Sequence, residues 1–96
     1  MNDLISKHQQ ELKRICQESG ISYLAIFGSE ARGEARDDSD VDLLIEFKDT
    51  PGLIRFIGIK QQFEKILDRK VDLVTKKGLS KHVAPYVVKD VKQIYG

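Results

Sequence analysis

The order of short apolar runs and amphipathic stretches constrains the fold of this chain most strongly. Three apolar runs are typical of buried strands, namely residues 23–27, Val41–Phe47 and Val71–Thr75. Residues 3–18 and Leu53–Leu67 carry apolar side chains at helical spacing instead. This order predicts an α/β (α+β) fold, in which helices flank a small mixed sheet of three to four strands.

The last part of the sequence is less well determined. Residues 79–89 have a helical pattern, although Pro85 is tolerable only near a first turn or as a break. Residues 91–95 fit either a helix end or an edge strand. No repeat, linker or low-complexity segment divides the sequence, so we expect a single domain over residues 1–96.

Composition and charge exclude several classes of protein. Hydrophobic residues make up 41% of the chain and charged residues 32%, which excludes a disordered chain. The apolar runs are too short to cross a bilayer, and Met1 is not followed by a signal peptide, so we expect no membrane association. The one cysteine cannot form an internal disulfide, so we expect a cytoplasmic protein. With a net charge of +1 the chain lacks the basic excess typical of nucleic-acid binding, so we expect no direct binding of nucleic acid.

The stretch between Gly28 and Asp42 carries the chemistry. Gly28 and Ser29 follow a strand and precede a short helical segment. A glycine there lets a phosphate approach the backbone, and a helix N-terminus offers unpaired N–H donors. The Ser29 hydroxyl can cap this turn and also reach a phosphate oxygen. Asp40 and Asp42 lie two residues apart on a strand, so both side chains leave the same face.

Asp40, Asp42 and Asp72 are candidate metal ligands. Neighbouring carboxylates repel unless a proton or a cation lies between them, and Mg²⁺ typically takes one or two carboxylates plus substrate phosphates and water. If the strand of Asp72 lies beside the strand of Asp42, its carboxylate completes a two-metal site, with the ions about 3.5–4 Å apart. We expect Asp72 to be buried. Burying three carboxylates without a metal or partners would cost several kcal/mol.

Each of these motifs also has a simpler explanation on its own. A Gly-Ser pair is commonly just a turn, and Asp-x-Asp is commonly a solvated strand end. An EF-hand fits poorly, because Leu43 stands where that loop requires glycine. The combination of a Gly-Ser turn, an Asp-x-Asp strand and a third acidic strand is what favours a phosphate and metal site.

The complete motif resembles a known family. The minimal nucleotidyltransferases, the smallest members of the DNA polymerase β-like superfamily, carry a Gly-Ser-x-Ala-Arg-Gly…Ser-Asp-x-Asp signature. This sequence resembles it at Gly28-Ser29, Ala31-Arg32-Gly33, Ala35 and Ser39-Asp40-Val41-Asp42-Leu43, and the order of elements fits over essentially the whole chain. Position 30, often aromatic or basic in relatives, is Glu30 here, an anion that would weaken triphosphate binding unless it points outward.

The resemblance implies roles for individual residues. Gly28 and Ser29 would hold a triphosphate, and Asp40 and Asp42 would hold two Mg²⁺ ions. Asp72 would be the third family carboxylate, on the metal that activates the acceptor hydroxyl.

Three polar residues of the motif are candidates to bind the nucleotide, each with an alternative. Arg32 and Arg36 can pair with phosphates, since a guanidinium matches phosphate geometry. Equally, they can be exposed loop arginines or pair with a neighbouring acidic residue. Ser39 fits a cap of the turn that aims Asp40 better than a substrate contact.

The resemblance also implies a biological role. Larger relatives carry extra domains that bind a primer, a tRNA end or an antibiotic, and we expect this chain to obtain its acceptor from a partner protein instead. Minimal nucleotidyltransferases of this kind resemble the antitoxins of two-protein modules whose toxin is a HEPN-domain ribonuclease. There the enzyme moves AMP from ATP to tyrosine hydroxyls of the toxin. We therefore expect an Mg-dependent protein adenylyltransferase that forms a hetero-oligomer with a HEPN toxin encoded by a neighbouring gene.

Two other functions stay open. The chain can be a non-catalytic antitoxin that neutralises its toxin by stoichiometric binding, although Gly28, Ser29 and all three aspartates are present. Transfer of a nucleotide to a small molecule such as an aminoglycoside is the weaker alternative.

For the partner interface, we expect exposed apolar residues on Leu53–Leu67 and on residues 83–95. Cys16, Phe63 and Tyr95 read as core residues, and His8 as structural or exposed.

Overall fold

The computed structural model describes residues 3–28, 40–75 and 91–96. The helices in these ranges are α1 (Asp3–Glu18) and α2 (Leu53–Leu67), and the strands are β1 (Ile21–Phe27), β2 (Val41–Phe47), β3 (Val71–Thr75) and β4 (Lys92–Tyr95). The predicted elements are confirmed, except that β1 begins at Ile21 rather than at Tyr23. The helix predicted over residues 79–89 and the short helical segment predicted after Gly28 lie outside the described residues. Neither of the two described helices is long and apolar enough to cross a bilayer.

The four strands form one mixed sheet in the order β3-β2-β1-β4. β1 pairs antiparallel with both β2 and β4, whereas β2 and β3 are parallel. The parallel pair is possible because α2 provides the long crossover that such a connection needs. The fold class is as predicted, and the ambiguity over residues 91–95 is resolved in favour of an edge strand.

One face of the sheet packs against both helices to form the main core. Alternate residues of β2 and β3 point to this face, as the period of a strand requires. The largest fully buried side chains are Phe63, Ile5, Leu12, Ile21, Leu24, Ile26, Leu43, Ile45, Val41, Val71 and Cys16. Phe63 and Cys16 are thus core residues as predicted, and Tyr95 is half-buried against the same core.

Hydrogen bonds to backbone carbonyls join the helices to the sheet at the turn after α1. Gly20 has a φ of 69°, a left-handed conformation that favours glycine and lets the chain reverse into β1. The Lys48 amide donates to the Gly20 carbonyl at 2.9 Å, and the Arg55 guanidinium donates to the Ser19 carbonyl at 3.0 Å. These bonds tie the end of β2 and the start of α2 to the same turn.

The other face of the sheet carries the acidic residues. Val41 and Leu43 lie in the helix-side core, so Asp42 between them points to the opposite face. Asp72 lies between Val71 and Leu73 in the same way. The sheet therefore separates the apolar core from the candidate chemistry.

Candidate active site

Asp42 and Asp72 lie side by side on adjacent strands. They are register partners in the parallel pair of β2 and β3, and both point to the face away from α1 and α2. Neighbouring strands are about 4.8 Å apart, so the two side chains start from backbones at that separation. From the sequence, we expected Asp72 to complete the site only if β3 lies beside β2. The two strands are adjacent, so this condition is met.

The predicted burial of the carboxylates is wrong. Asp40 and Asp72 are exposed, and Asp42 is half-buried. The reason is their position: Asp40 immediately precedes β2, while Asp72 is the second residue of β3, at the outer edge of the described sheet. The site is thus open to solvent.

Gly28 packs its backbone directly against the Asp42 carboxylate. The preceding residue, Phe27, is the register partner of Asp42 on the antiparallel side. Gly28 has a φ of 74°, and a Cβ added to it would overlap Asp42 Oδ2 and lie 3.3 Å from Asp42 Cγ. A side chain at position 28 would therefore displace the Asp42 carboxylate. This role was not predicted, because it becomes visible only when the register of β1 and β2 is known.

The donor set suits a magnesium–nucleotide complex. Within residues 3–28, 40–75 and 91–96, no three His, Cys, Asp or Glu side chains are grouped closely enough to enclose a metal ion by themselves. Mg²⁺ does not require such a cage, since it takes one or two carboxylates and completes its shell with phosphates and water. Asp42 and Asp72 supply two carboxylates, and the Asp42 carboxylate occupies the space that a side chain at position 28 would take. The number of ions stays a prediction.

The remaining candidates lie outside the described residues. These are Ser29, Arg32, Arg36 and Ser39, together with the unfavourable Glu30. Their roles in binding the nucleotide stay predictions.

A separate apolar groove lies at the opposite end of β2. It encloses about 350 Å³, and its lining includes Phe47, Leu53 and Phe56. The rings of Phe47 and Phe56 are 6.2 Å apart and tilted by 56°. Beside the groove, Leu53 and Ile54 are 74% and 89% exposed, which confirms the predicted apolar surface on this helix. Such surfaces commonly mark an interface.

Three other titratable residues lie away from the site. Burial raises the pKa of the Cys16 thiol to about 12, against a smaller lowering by a backbone hydrogen bond. His8 Nδ1 is 3.7 Å from Glu11 Oε1, and the histidine side chain is 19% exposed, in keeping with the structural role predicted for it. Cys16, His8 and Glu11 therefore play no part in the acidic face.

The sequence matches the family described as "Nucleotidyltransferase domain" over residues 8–95. This match includes both strands that carry the aspartates and the turn at Gly28. The chain therefore belongs to the nucleotidyltransferase domain family, as its motif predicted, and is a nucleotidyltransferase.

Similarities to individual proteins are consistent with this membership. The protein adenylyltransferase MntA of Thermococcus cleftensis is 36% identical over 91 residues, which cover 95% of this chain and 89% of that protein. A crystal structure of a toxin–antitoxin with AMP-PNP has a TM-score of 0.79 and 26% identity, covering 92% of this chain and 73% of that one. The fold is also similar to that of a chain in the structure of a tri-AMPylated Shewanella oneidensis HEPN toxin in complex with an MNT antitoxin, with a TM-score of 0.73, 22% identity, and coverage of 95% of this chain and 71% of that one.

Proposed function

We propose that this chain is a protein adenylyltransferase that moves AMP from ATP to a hydroxyl of a partner protein. The observation that carries the proposal is the juxtaposition of Gly28, Asp42 and Asp72 on one face of the sheet. A glycine backbone against one carboxylate, with a second carboxylate in register beside it, suits a bound triphosphate and its cation. The similarity to the adenylyltransferase MntA supports AMP as the group transferred and a protein as the acceptor.

The residues of the candidate site would divide the proposed reaction among them. Asp40 and Asp42 would hold Mg²⁺ with the triphosphate, and Asp72 would hold Mg²⁺ on the side of the acceptor. Mg²⁺ supplies Lewis-acid stabilisation of the charge that develops on the phosphoryl oxygens. The absence of a side chain at Gly28 leaves room for the Asp42 carboxylate, and Gly28 and Ser29 would donate to phosphate oxygens. Because Asp72 is exposed, a bulky acceptor such as a protein side chain can reach it.

The proposed partner is a HEPN-domain toxin, and the chain would act as its antitoxin. The similarity to a toxin–antitoxin structure with a bound ATP analogue supports a module of this kind. The exposed Leu53 and Ile54 provide an apolar surface for a stable complex at the end of the sheet away from the aspartates. The antitoxin could then remain bound while the acidic face stays accessible.

The test is the intact mass of the toxin encoded by the neighbouring gene, after incubation with this chain, ATP and Mg²⁺. We expect a gain of roughly 330 Da per AMP transferred, which the Asp72→Asn variant abolishes. Binding of ATP by that variant should be largely retained, because Asp40 and Asp42 remain. The exposed-residue change Gln17→Lys on α1 is the control, and it should leave the mass gain unaltered.

The same experiment distinguishes the alternative of neutralisation by binding alone. The exposed apolar surface on α2 would serve a masking antitoxin equally well. If the wild-type chain adds no mass with any of the four nucleoside triphosphates and still neutralises the toxin, the enzymatic proposal is wrong.

A further inference from the structure

The corner between α2 and β3 is tightly built. α2 ends at Leu67, which is buried, and Asp68 then adopts a left-handed conformation with φ of 53° and ψ of 40°. Aspartate is among the few residues that tolerate this conformation. β3 begins at Val71, so the chain turns from helix to strand within a few residues. The site residue Asp72 follows immediately, and its position depends on this corner.

The peptide group between Lys70 and Val71 is held from both sides. On one side, the Lys70 carbonyl accepts a hydrogen bond of 2.8 Å from the Val41 amide of β2. In a trans peptide the carbonyl and the N–H point in opposite directions, so the Val71 N–H points away from β2. There the Glu64 side chain of α2 reaches it, and Glu64 Oε2 accepts a hydrogen bond of 3.0 Å from the Val71 amide.

Glu64 thus accepts a hydrogen bond from the Val71 amide at the outer edge of the described sheet. An amide at such an edge is commonly left to solvent. Val71 is buried and Glu64 is half-buried, so little water competes for this bond. A hydrogen bond to a carboxylate is also stronger than one between neutral groups. The start of β3 is therefore fixed by the helix as well as by its neighbouring strand.

This double attachment bears on the register of the two aspartates. Asp42 and Asp72 face each other only in the observed register of β2 and β3. A slip of one residue would turn Asp72 to the core face and bring Val71 to the acidic face. Smaller movements of the strand end would shift the Asp72 carboxylate relative to Asp42 without disrupting the core.

We infer that Glu64 is a positioning residue for nucleotidyl transfer, which holds the Asp72 carboxylate in place through the Val71 amide. The inference rests on the proposed function. It assigns Glu64 no contact with substrate. Its effect should therefore appear in kcat more than in the KM for ATP, because Asp42 lies on β2 and Gly28 follows β1, and neither is touched by the change.

The test compares Glu64→Ala with Glu64→Gln. The alanine variant loses the acceptor, and we expect kcat to fall about 10- to 100-fold with the KM for ATP within about twofold, since a misplacement near 1 Å can cost that much. Glutamine retains a side-chain oxygen that accepts the same hydrogen bond, so it should restore kcat to within about threefold of wild type. Hydrogen exchange of the Val71 amide should accelerate about tenfold or more in the alanine variant only.

A destabilised control separates positioning from general loss of stability. Ile5→Val removes one methyl group from the core on α1, which packs on α2, β1 and β4. We expect it to lower the melting temperature as Glu64→Ala does while leaving kcat unchanged.

The inference is overturned if Ile5→Val lowers kcat as much as Glu64→Ala, if Glu64→Gln is as impaired as Glu64→Ala, or if Val71 exchange is the same in all variants. A wild-type chain that transfers no nucleotide would instead refute the proposed function. In that case Val71 exchange still reports whether Glu64 holds the strand.

Discussion

The two ends of β2 have opposite characters. Its first residues lie beside an acidic, open site formed with Gly28 and Asp72, whereas its last residues line an apolar groove with Phe56 of α2. Seven residues of one strand are enough to separate the two. The strand is apolar on its core face throughout, so the difference lies in what the neighbouring turns add at each end. A small sheet can in this way present an acidic surface at one end and an apolar surface at the other.

The largest expected effect comes from removing charge at the acidic end. The double change Asp40→Asn, Asp42→Asn should abolish the extra rise in melting temperature that ATP and Mg²⁺ give together, and should cut transfer by at least about a hundredfold. Thermal unfolding with and without ligands measures the first effect, and the intact mass of the acceptor protein measures the second. An unchanged ligand effect would place the nucleotide elsewhere.

Gly28→Ala should be nearly as damaging for catalysis and should also reduce stability. The new Cβ would overlap the Asp42 carboxylate, and the positive φ would become strained at a cost of about 1–2 kcal/mol. Because the Asp42 carboxylate would be displaced, we expect the rate of nucleotidyl transfer to fall roughly a hundredfold.

Gly58→Ala is the matched control for this change. Gly58 lies inside α2, and a Cβ there would meet no atom within 4 Å beyond the adjacent turns of its own helix, so alanine should stabilise the protein by about 0.5–1 kcal/mol and leave transfer intact. If the two alanine variants have equal activity, the close contact between Gly28 and Asp42 has no functional role.

Ile54→Lys should affect the groove end alone. Because Ile54 is 89% exposed, this change should shift the free energy of unfolding by less than about 0.5 kcal/mol. It should weaken the complex with the toxin by about tenfold or more, measured by calorimetry, since a charge would enter an apolar interface. Gln17→Lys adds the same charge at an exposed position of α1 and should leave the affinity unchanged. Equal affinities of the two variants would exclude this surface as the toxin interface.

The sequence predicted the fold because the apolar periods of the strands and helices were strong. The bounds of β2, β3 and α2 came directly from runs that end at polar or glycine residues. The site was predicted as a set of residues but not as a geometry. Exposure of Asp72 depends on β3 being an edge strand, and the contact between Gly28 and Asp42 depends on strand register. Neither is encoded in local spacing.

Glu64 illustrates the same limit. In the sequence it is one more polar residue of an amphipathic helix, and its bond to Val71 exists only because α2 packs over the start of β3. A glutamate near the end of a helix that leads into an edge strand is the only signal that could have indicated it. That signal is too common in sequences to be used alone.

The last prediction concerns stability alone, in the core between the two ends. The Cys16 thiol has its pKa raised from 9.0 to about 12 by burial, so the folded protein keeps it protonated where the unfolded chain loses its proton. This contribution to stability is complete below pH 9 and is lost as the pH rises towards 12, with a slope of at most about 1.4 kcal/mol per unit. Urea unfolding between pH 8 and 10.5 should therefore show a steeper decline for wild type than for Cys16→Ala. Parallel declines would show that the thiol does not titrate on unfolding.

The pairing of β1 with β4 has a consequence for how the protein is made. β1 is an inner strand of the sheet, yet one of its neighbours consists of residues 92–95, far along the chain. At ribosomal speeds of about 5–20 residues per second, β1 waits for several seconds before that neighbour is synthesised. During this interval its outer edge can pair with any other exposed strand. A newly made chain is therefore most vulnerable to aggregation while its ribosome is still translating, and slow translation of the last third should lower the yield of folded protein.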